Sequence, residues 1–285
     1  MAAFWIILTG SLTAACCGIL GCYLLLRRLS LLGDAIAHAI LPGIFIAYWL
    51  SGSRSSIFMV LGAAAFGVIC TFLIEYLTRK IRVQSDAAMG FVFTLLFAIG
   101  IILISAFAGQ VDLDQECVLY GEIAYVPLDL WITDTGINLG PRAVWINGTI
   151  LALLIALISI GYKGLFITTF DPEYASSLGI STAFWHYALM GAVSLTSVAS
   201  FESVGAILVV AFLIAPAAIA YLLTDNLKIM LLLSVVVGIL SAIGGYYLAW
   251  LIDGSIAGAM TTVLGLLFLV AFALSNMGLK INKPV

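Results

Sequence analysis

Residues 3–26 read AFWIILTGSLTAACCGILGCYLLL, uncharged from end to end, and are closed by Arg27 and Arg28. A helix rising about 1.5 Å per residue needs about twenty such residues to cross about 30 Å of hydrocarbon. Working outward, comparable runs occupy 35–50, 57–78, 87–108, 143–162, 183–200, 203–223, 229–251 and 256–276, with the second and sixth shorter than the rest. The composition agrees: 64% of the residues are hydrophobic and 9% charged, where a soluble domain is about half apolar and a quarter charged. The expected fold is all-α, a polytopic integral membrane protein with about nine transmembrane helices, and residues 1–285 form one membrane domain.

Charge and cysteine usage exclude other classes. The net charge is −3, and the eleven basic residues occur singly or in short clusters without forming a patch, so nucleic acid is not a partner. Cys16, Cys17, Cys22 and Cys70 lie inside apolar runs and Cys117 stands alone, which describes small core residues better than a disulfide framework or a CxxC metal site. The first run has no basic leader and no A-x-A-like cleavage site and is expected to be retained as a span. There is no Gly-x-x-x-x-Gly-Lys-Ser/Thr loop, so the chain lacks the phosphate cradle of a nucleotide hydrolase. An activated nucleophile or a closed catalytic metal site is not evident either, and the chain is not read as an enzyme.

Basic residues set the expected orientation. With the first span ending inside, Arg27, Arg28, Arg79, Lys80, Arg82, Lys163, Lys228, Lys280 and Lys283 fall on the cytosolic side, and Arg54 and Arg142 outside. That bias satisfies the positive-inside rule and places the N-terminus outside and the C-terminus in the cytosol. The connection 109–142 is then extracellular and acidic, and its apolar middle, Cys117 to Tyr125, suits a re-entrant segment shielded by neighbouring helices. The connection 163–182 is cytosolic. Within it Asp171 is placed to cap a short helix, Pro172 suits the first helical position, Glu173 favours the positive end, and Gly179 terminates it.

The residues that can carry chemistry are concentrated in Arg27–Gly43, RRLSLLGDAIAHAILPG. Asp34 and His38 are four apart and share one helix face, where carboxylate oxygen and imidazole nitrogen suit Mn, Fe or Zn. The other reading of that spacing is a capping Asp hydrogen-bonded to a structural His. Glu116 and Glu122 flank the re-entrant segment and Glu202 lies in an expected turn, Ser200–Val204, on the outer side; these are candidate pathway carboxylates or solvated loop residues. His186, beside Trp185, reads as an interfacial amphipathic residue and is left out of the site. Gly18, Gly21, Gly238, Gly244 and Gly245 suit close helix contacts, and Pro216 either kinks its span or is tolerated there.

The stretch Arg-x-Leu-Ser-Leu-Leu-Gly-Asp-Ala-x-x-His-Ala-x-Leu-Pro-Gly resembles a signature of the permease subunits of zinc-, manganese- and iron-type ABC importers. Leu119-Tyr-Gly-Glu-Ile is similar to that family's turn before the middle spans, Phe170-Asp-Pro-Glu-Tyr-Ala-x-x-Leu-Gly to its cytosolic coupling helix at 170–180, and Val204–Ala218 to its late pore-lining span. The resemblance implies the helical fold shared with cobalamin and iron-siderophore importers. It implies a prokaryotic plasma (inner) membrane location and assembly with cytosolic ABC ATPase subunits. A second permease, either a copy or a paralogue, and an extracytoplasmic metal-binding protein complete the implied complex. It makes Asp34 and His38 contacts of a transported divalent metal ion, with no permanently bound cofactor, and Asp171, Pro172, Glu173 and Gly179 parts of the ATPase-coupling helix. Mn or Fe is expected before Zn. The rival reading is a secondary-active metal transporter or channel without an ATPase, for which a docking helix at 170–180 has no use.

Overall fold

The computed structural model describes residues 2–51, 56–107, 122–132 and 138–277. Eleven helices account for most of them: α1 (Ala2–Leu26), α2 (Leu32–Ala39), α3 (Leu41–Ser51), α4 (Ser56–Lys80), α5 (Ser85–Phe107), α6 (Arg142–Phe170), α7 (Pro172–Ser177), α8 (Thr182–Val204), α9 (Ala206–Leu223), α10 (Leu227–Ile252) and α11 (Ile256–Asn276). Between α5 and α6 lie a 3₁₀ turn, Ile123–Leu128, and an antiparallel pair of short strands, β1 (Leu130–Ile132) and β2 (Asn138–Pro141). Among the described residues eight segments are long and apolar enough to cross a membrane, with α2 and α3 together making one of them. The remaining expected span, the sixth in chain order, is α8; at 23 residues it is long enough but more polar, with Ser194, Thr196, Ser197, Ser200 and Ser203 buried along it.

Three expected boundaries move, each for a local reason. The second span is broken at Ile40, just before Pro42, so that α2 is a separate eight-residue helix. The fifth continues through Lys163 to Phe170, since nothing stops a helix until Asp171-Pro172 removes the next donor and restricts the residue before it. The turn expected at Ser200–Val204 is helical. Only Gly205, at φ +80°, separates α8 from α9, and that left-handed conformation suits glycine. Glu202 is therefore a residue of the last turn of α8 and not of a loop.

Close packing explains the small residues of the spans. α1 runs through the interior against α6, α9 and α10, and nearly all of its residues from Thr9 to Leu24 are buried. A side chain on Gly21 would collide with the Leu213 carbonyl of α9, one on Gly238 would meet Ala14, and one on Gly245 would strike the backbone of Met260. Where lipid tails are as apolar as leucine, such backbone approach supplies the contact energy that hydrophobic burial supplies in water. Pro216 is buried within α9, which stays helical through it. Cys16, Cys17, Cys22 and Cys70 are buried free thiols in this core. The outer faces, by contrast, expose large apolar residues such as Leu153, Ile160, Leu232, Trp250 and Leu269, as a lipid-facing surface requires.

The bundle has two distinct ends. Arg27, Glu75, Arg79, Thr168, Thr169, α7 and His186 converge at one, while Trp5, Gly140 and the edge-to-face pair Trp131–Trp145 mark the other.

Candidate functional site

In α2 every residue is buried except Asp34 and His38. Leu32, Gly33, Ala35, Ile36, Ala37 and Ala39 pack inward against α4, α5, α8 and α9, which forces the remaining face, with its acid and its imidazole, out of the protomer's core. The side chains are 41% and 34% exposed, so both retain access to an incoming ligand. His38 Nδ1 lies 3.0 Å from the Asp34 carbonyl oxygen and 3.5 Å from Asp34 Oδ1. A carbonyl only accepts, so this contact puts the proton on Nδ1 and leaves the Nε2 lone pair available. Phe93 and Phe97 of α5 hold the ring from the side, with centroids 5.5 and 5.6 Å from it. The pair thus offers one carboxylate and one oriented nitrogen, a set suited to a divalent transition metal and too small to enclose it. Among the described residues no group of three or more His, Cys, Asp or Glu side chains is placed to hold a metal.

Among the described residues, the sequence-marked carboxylate Glu122 is not brought to this pair. Glu122 is exposed, ahead of the 3₁₀ turn, whose Ile123 reaches Gly10 of α1. Glu116 and the Glu202 side chain lie outside the described residues, as does most of the segment expected to be re-entrant. At 170–180 the local expectations are met in detail: Asp171 Oδ1 accepts from Tyr174 N at 2.9 Å, Pro172 opens α7, Glu173 sits in its first turn, and Gly179 adopts φ +76°.

A second polar cluster joins the ends of four helices beside α7. Arg27 donates from Nε to Thr169 Oγ1 and from Nη2 to Thr168 Oγ1, each at 3.1 Å, and its Nη1 lies 3.5 Å from His186 Nδ1. Glu75 pairs with Arg79 at 2.8 Å and faces His186 Nε2 at 3.7 Å. Burial lowers the Arg27 pKa from its ordinary value, and nearby Tyr23 acts in the opposite direction. These groups border a cavity of about 580 Å³ whose wall includes Pro172, Glu173 and Ser176. A cation between Glu75 and His186 would meet two guanidinium groups, so the cluster is a polar, hydrogen-bonded contact between helices and not a metal seat. His186, expected at a lipid interface, is turned inward and only 18% exposed. Trp185 beside it packs on Gly161 and Gly164 of α6. The signal that marks Glu75 in the sequence is a carboxylate inside the 57–78 run, four residues before Arg79.

Residues 2–275 match the model of the ABC 3 transport family. The chain belongs to that family. Among curated proteins, this ABC 3 family member is 49% identical over 281 residues to the manganese transport system membrane protein MntD of Bacillus subtilis, covering 99% of this chain and 95% of that one. It is 43% identical to the zinc transport system membrane protein TroD of Treponema pallidum, covering 95% and 73% respectively. Among solved structures it resembles PsaBC from Streptococcus pneumoniae in complex with Fab, with a TM-score of 0.76 and 32% identity over 94% of this chain and 90% of that one. The ABC 3 family member is accordingly a transport component and a multi-pass membrane protein.

Proposed function

We propose that the chain is the permease subunit of an ATP-binding-cassette importer that moves a divalent transition-metal ion into the cytoplasm, manganese or iron in preference to zinc, and that Asp34 and His38 contact the ion in transit. The observation that carries this reading is the outward face of α2, where an acid and an imidazole one turn apart are the only residues not buried. A two-ligand site on an outer face binds transiently and leaves the remaining ligands to water, to backbone carbonyls or to a second permease, as release of the ion demands. The names of the relatives support manganese, since the 49%-identical protein is a manganese transport system component, while the second is named for zinc.

The rest of the assembly follows from the same reading. Residues 1–285 act as one transmembrane domain, with 109–142 extracytoplasmic, α7 as the coupling helix and both Arg27 and Arg79 at the cytosolic end, in keeping with the basic bias of that side. Hydrolysis belongs to separate ATPase subunits, and an extracytoplasmic binding protein delivers the metal. The test is reconstitution of this chain with its ATPase and binding protein in liposomes, followed by uptake competition among Mn, Fe and Zn. Uptake that requires ATP and is displaced by manganese or iron before zinc supports the proposal; metal uptake without an ATPase would make the chain a secondary carrier.

A further inference from the structure

Arg27 stands at a junction that its role in a charged cluster does not exhaust. One guanidinium reaches the helices on both sides of α7: Thr168 and Thr169 close α6 just before Asp171-Pro172, and His186 lies in the opening turns of α8, the helix that follows α7. Through the main chain, the same residue leads into α2 and its Asp34–His38 pair.

The intervening residues are not slack. Arg27 N bonds Tyr23 O at 3.0 Å, Arg28 N bonds Leu25 O at 3.0 Å, and Leu29 N bonds Leu24 O at 2.8 Å, while Leu32 N closes on Leu29 O at 3.0 Å. Arg28 is held at φ +59°, a left-handed conformation that a non-glycine residue keeps only where its surroundings impose it. A displacement of the α7 flanks is therefore delivered to α2 through a stiff turn. The cavity of about 580 Å³ bordered by Pro172, Glu173 and Ser176 leaves room for that displacement. Arginine is well fitted to such a junction, because its planar fork makes several directed bonds at once, which an ammonium group does less well.

Building on the reading of α7 as the coupling helix, we propose that Arg27 is the positioning residue that transmits movement of α7 to the Asp34–His38 pair. It does not touch the cargo. It binds the frame of α7 and sets the orientation of α2, so its loss separates ATP hydrolysis from metal movement without removing a metal ligand.

The experiment measures manganese imported per ATP hydrolysed by the complete importer in liposomes, together with ATPase co-purification and the KM for manganese-loaded binding protein. If the unmodified importer shows no ATP-dependent uptake, the permease reading itself fails, and this inference with it, whatever the variants do. With coupled unmodified importer, Arg27→Met lowers the ratio about tenfold or more, the scale of losing charge-assisted hydrogen bonds. The KM and ATPase assembly stay unchanged, and Arg27→Lys restores part of the ratio. The isosteric double variant Thr168→Val, Thr169→Val removes the acceptors while leaving Arg27 in place and lowers the ratio in the same way. That variant carries the test if Arg27→Met fails to assemble. An unchanged ratio in the Thr pair variant, or hydrolysis and uptake falling in equal proportion in Arg27→Met, overturns the proposal.

Discussion

His38 Nδ1 lies 3.0 Å from the carbonyl oxygen of Asp34, one helical turn earlier. With Nδ1 donating to that carbonyl, Nε2 is the nitrogen left open to a ligand, and Phe93 and Phe97 flank the ring. Second partners that fix tautomer and orientation are the usual support of a ligating histidine. Here the partner is the backbone of Asp34, the other residue of the proposed pair, so α2 itself orients the ring.

On the proposed reading, Nε2 is the coordinating nitrogen. The amide oxygen of glutamine falls near the place of Nε2 and that of asparagine near Nδ1, so His38→Gln retains measurable manganese uptake and His38→Asn falls to background. Uptake by reconstituted vesicles at matched permease content measures this, and the reverse order contradicts the Nε2 assignment.

The coupling role proposed for α7 gives a second expectation. Glu173 is exposed in the first turn of α7, where Glu173→Arg reverses the charge at the expected ATPase contact without disturbing a buried neighbour. Uptake in the assembled complex falls by about an order of magnitude, as for loss of an interfacial charge contact worth about 1.4 kcal/mol. Normal uptake by a fully assembled Glu173→Arg complex removes the reason for calling α7 a coupling helix.

Orientation is open to direct measurement. A single cysteine at position 173, in a background free of native thiols, is expected to react with an impermeant maleimide only after the cytosolic face is opened. Labelling from outside intact cells inverts the assignment of both ends.

Packing gives the fourth expectation. A side chain on Gly21 would meet the Leu213 carbonyl, whereas one on Gly265 of α11 meets nothing within 4 Å. Gly21→Val therefore destabilises the detergent-solubilised protein by about 1–3 kcal/mol, as overpacking does, and Gly265→Ala changes it by no more than about 0.5 kcal/mol. Thermal unfolding of the two variants should differ accordingly; equal melting temperatures would show that the α1–α9 contact is not close.

Most of the helices were legible in the sequence because lipid requires long uncharged runs, and those runs leave little ambiguity. Legibility failed where a neighbour decided the outcome. The break at Ile40 and the extension of α6 to Phe170 depend on local backbone chemistry inside or beside an apolar run, which hydropathy averages away. Asp34 and His38 were visible because their partner is four residues off, on the same helix. Arg27, Glu75 and His186 come from three distant segments, and nothing in their own neighbourhoods announces the meeting; Trp185 even pointed His186 toward the lipid interface. The buried hydroxyls of α8 were hidden for the same reason, since Ser200 finds its partner, Asn147 Oδ1, on α6.

The exposed face of α2 is the part of the chain proposed to handle the ion. The most direct measurement is ATP-driven manganese uptake by the importer carrying Asp34→Asn and His38→Ala together, with ATPase assembly checked in the same preparation. Asn keeps the shape of Asp while removing its charge, and Ala removes the nitrogen together with the ring contacts to Phe93 and Phe97, which the assembly check controls for. The expected result is a complex that assembles and hydrolyses ATP while uptake drops to the level of vesicles without permease. Uptake at the unmodified rate by an assembled double variant would contradict it and make the pair structural.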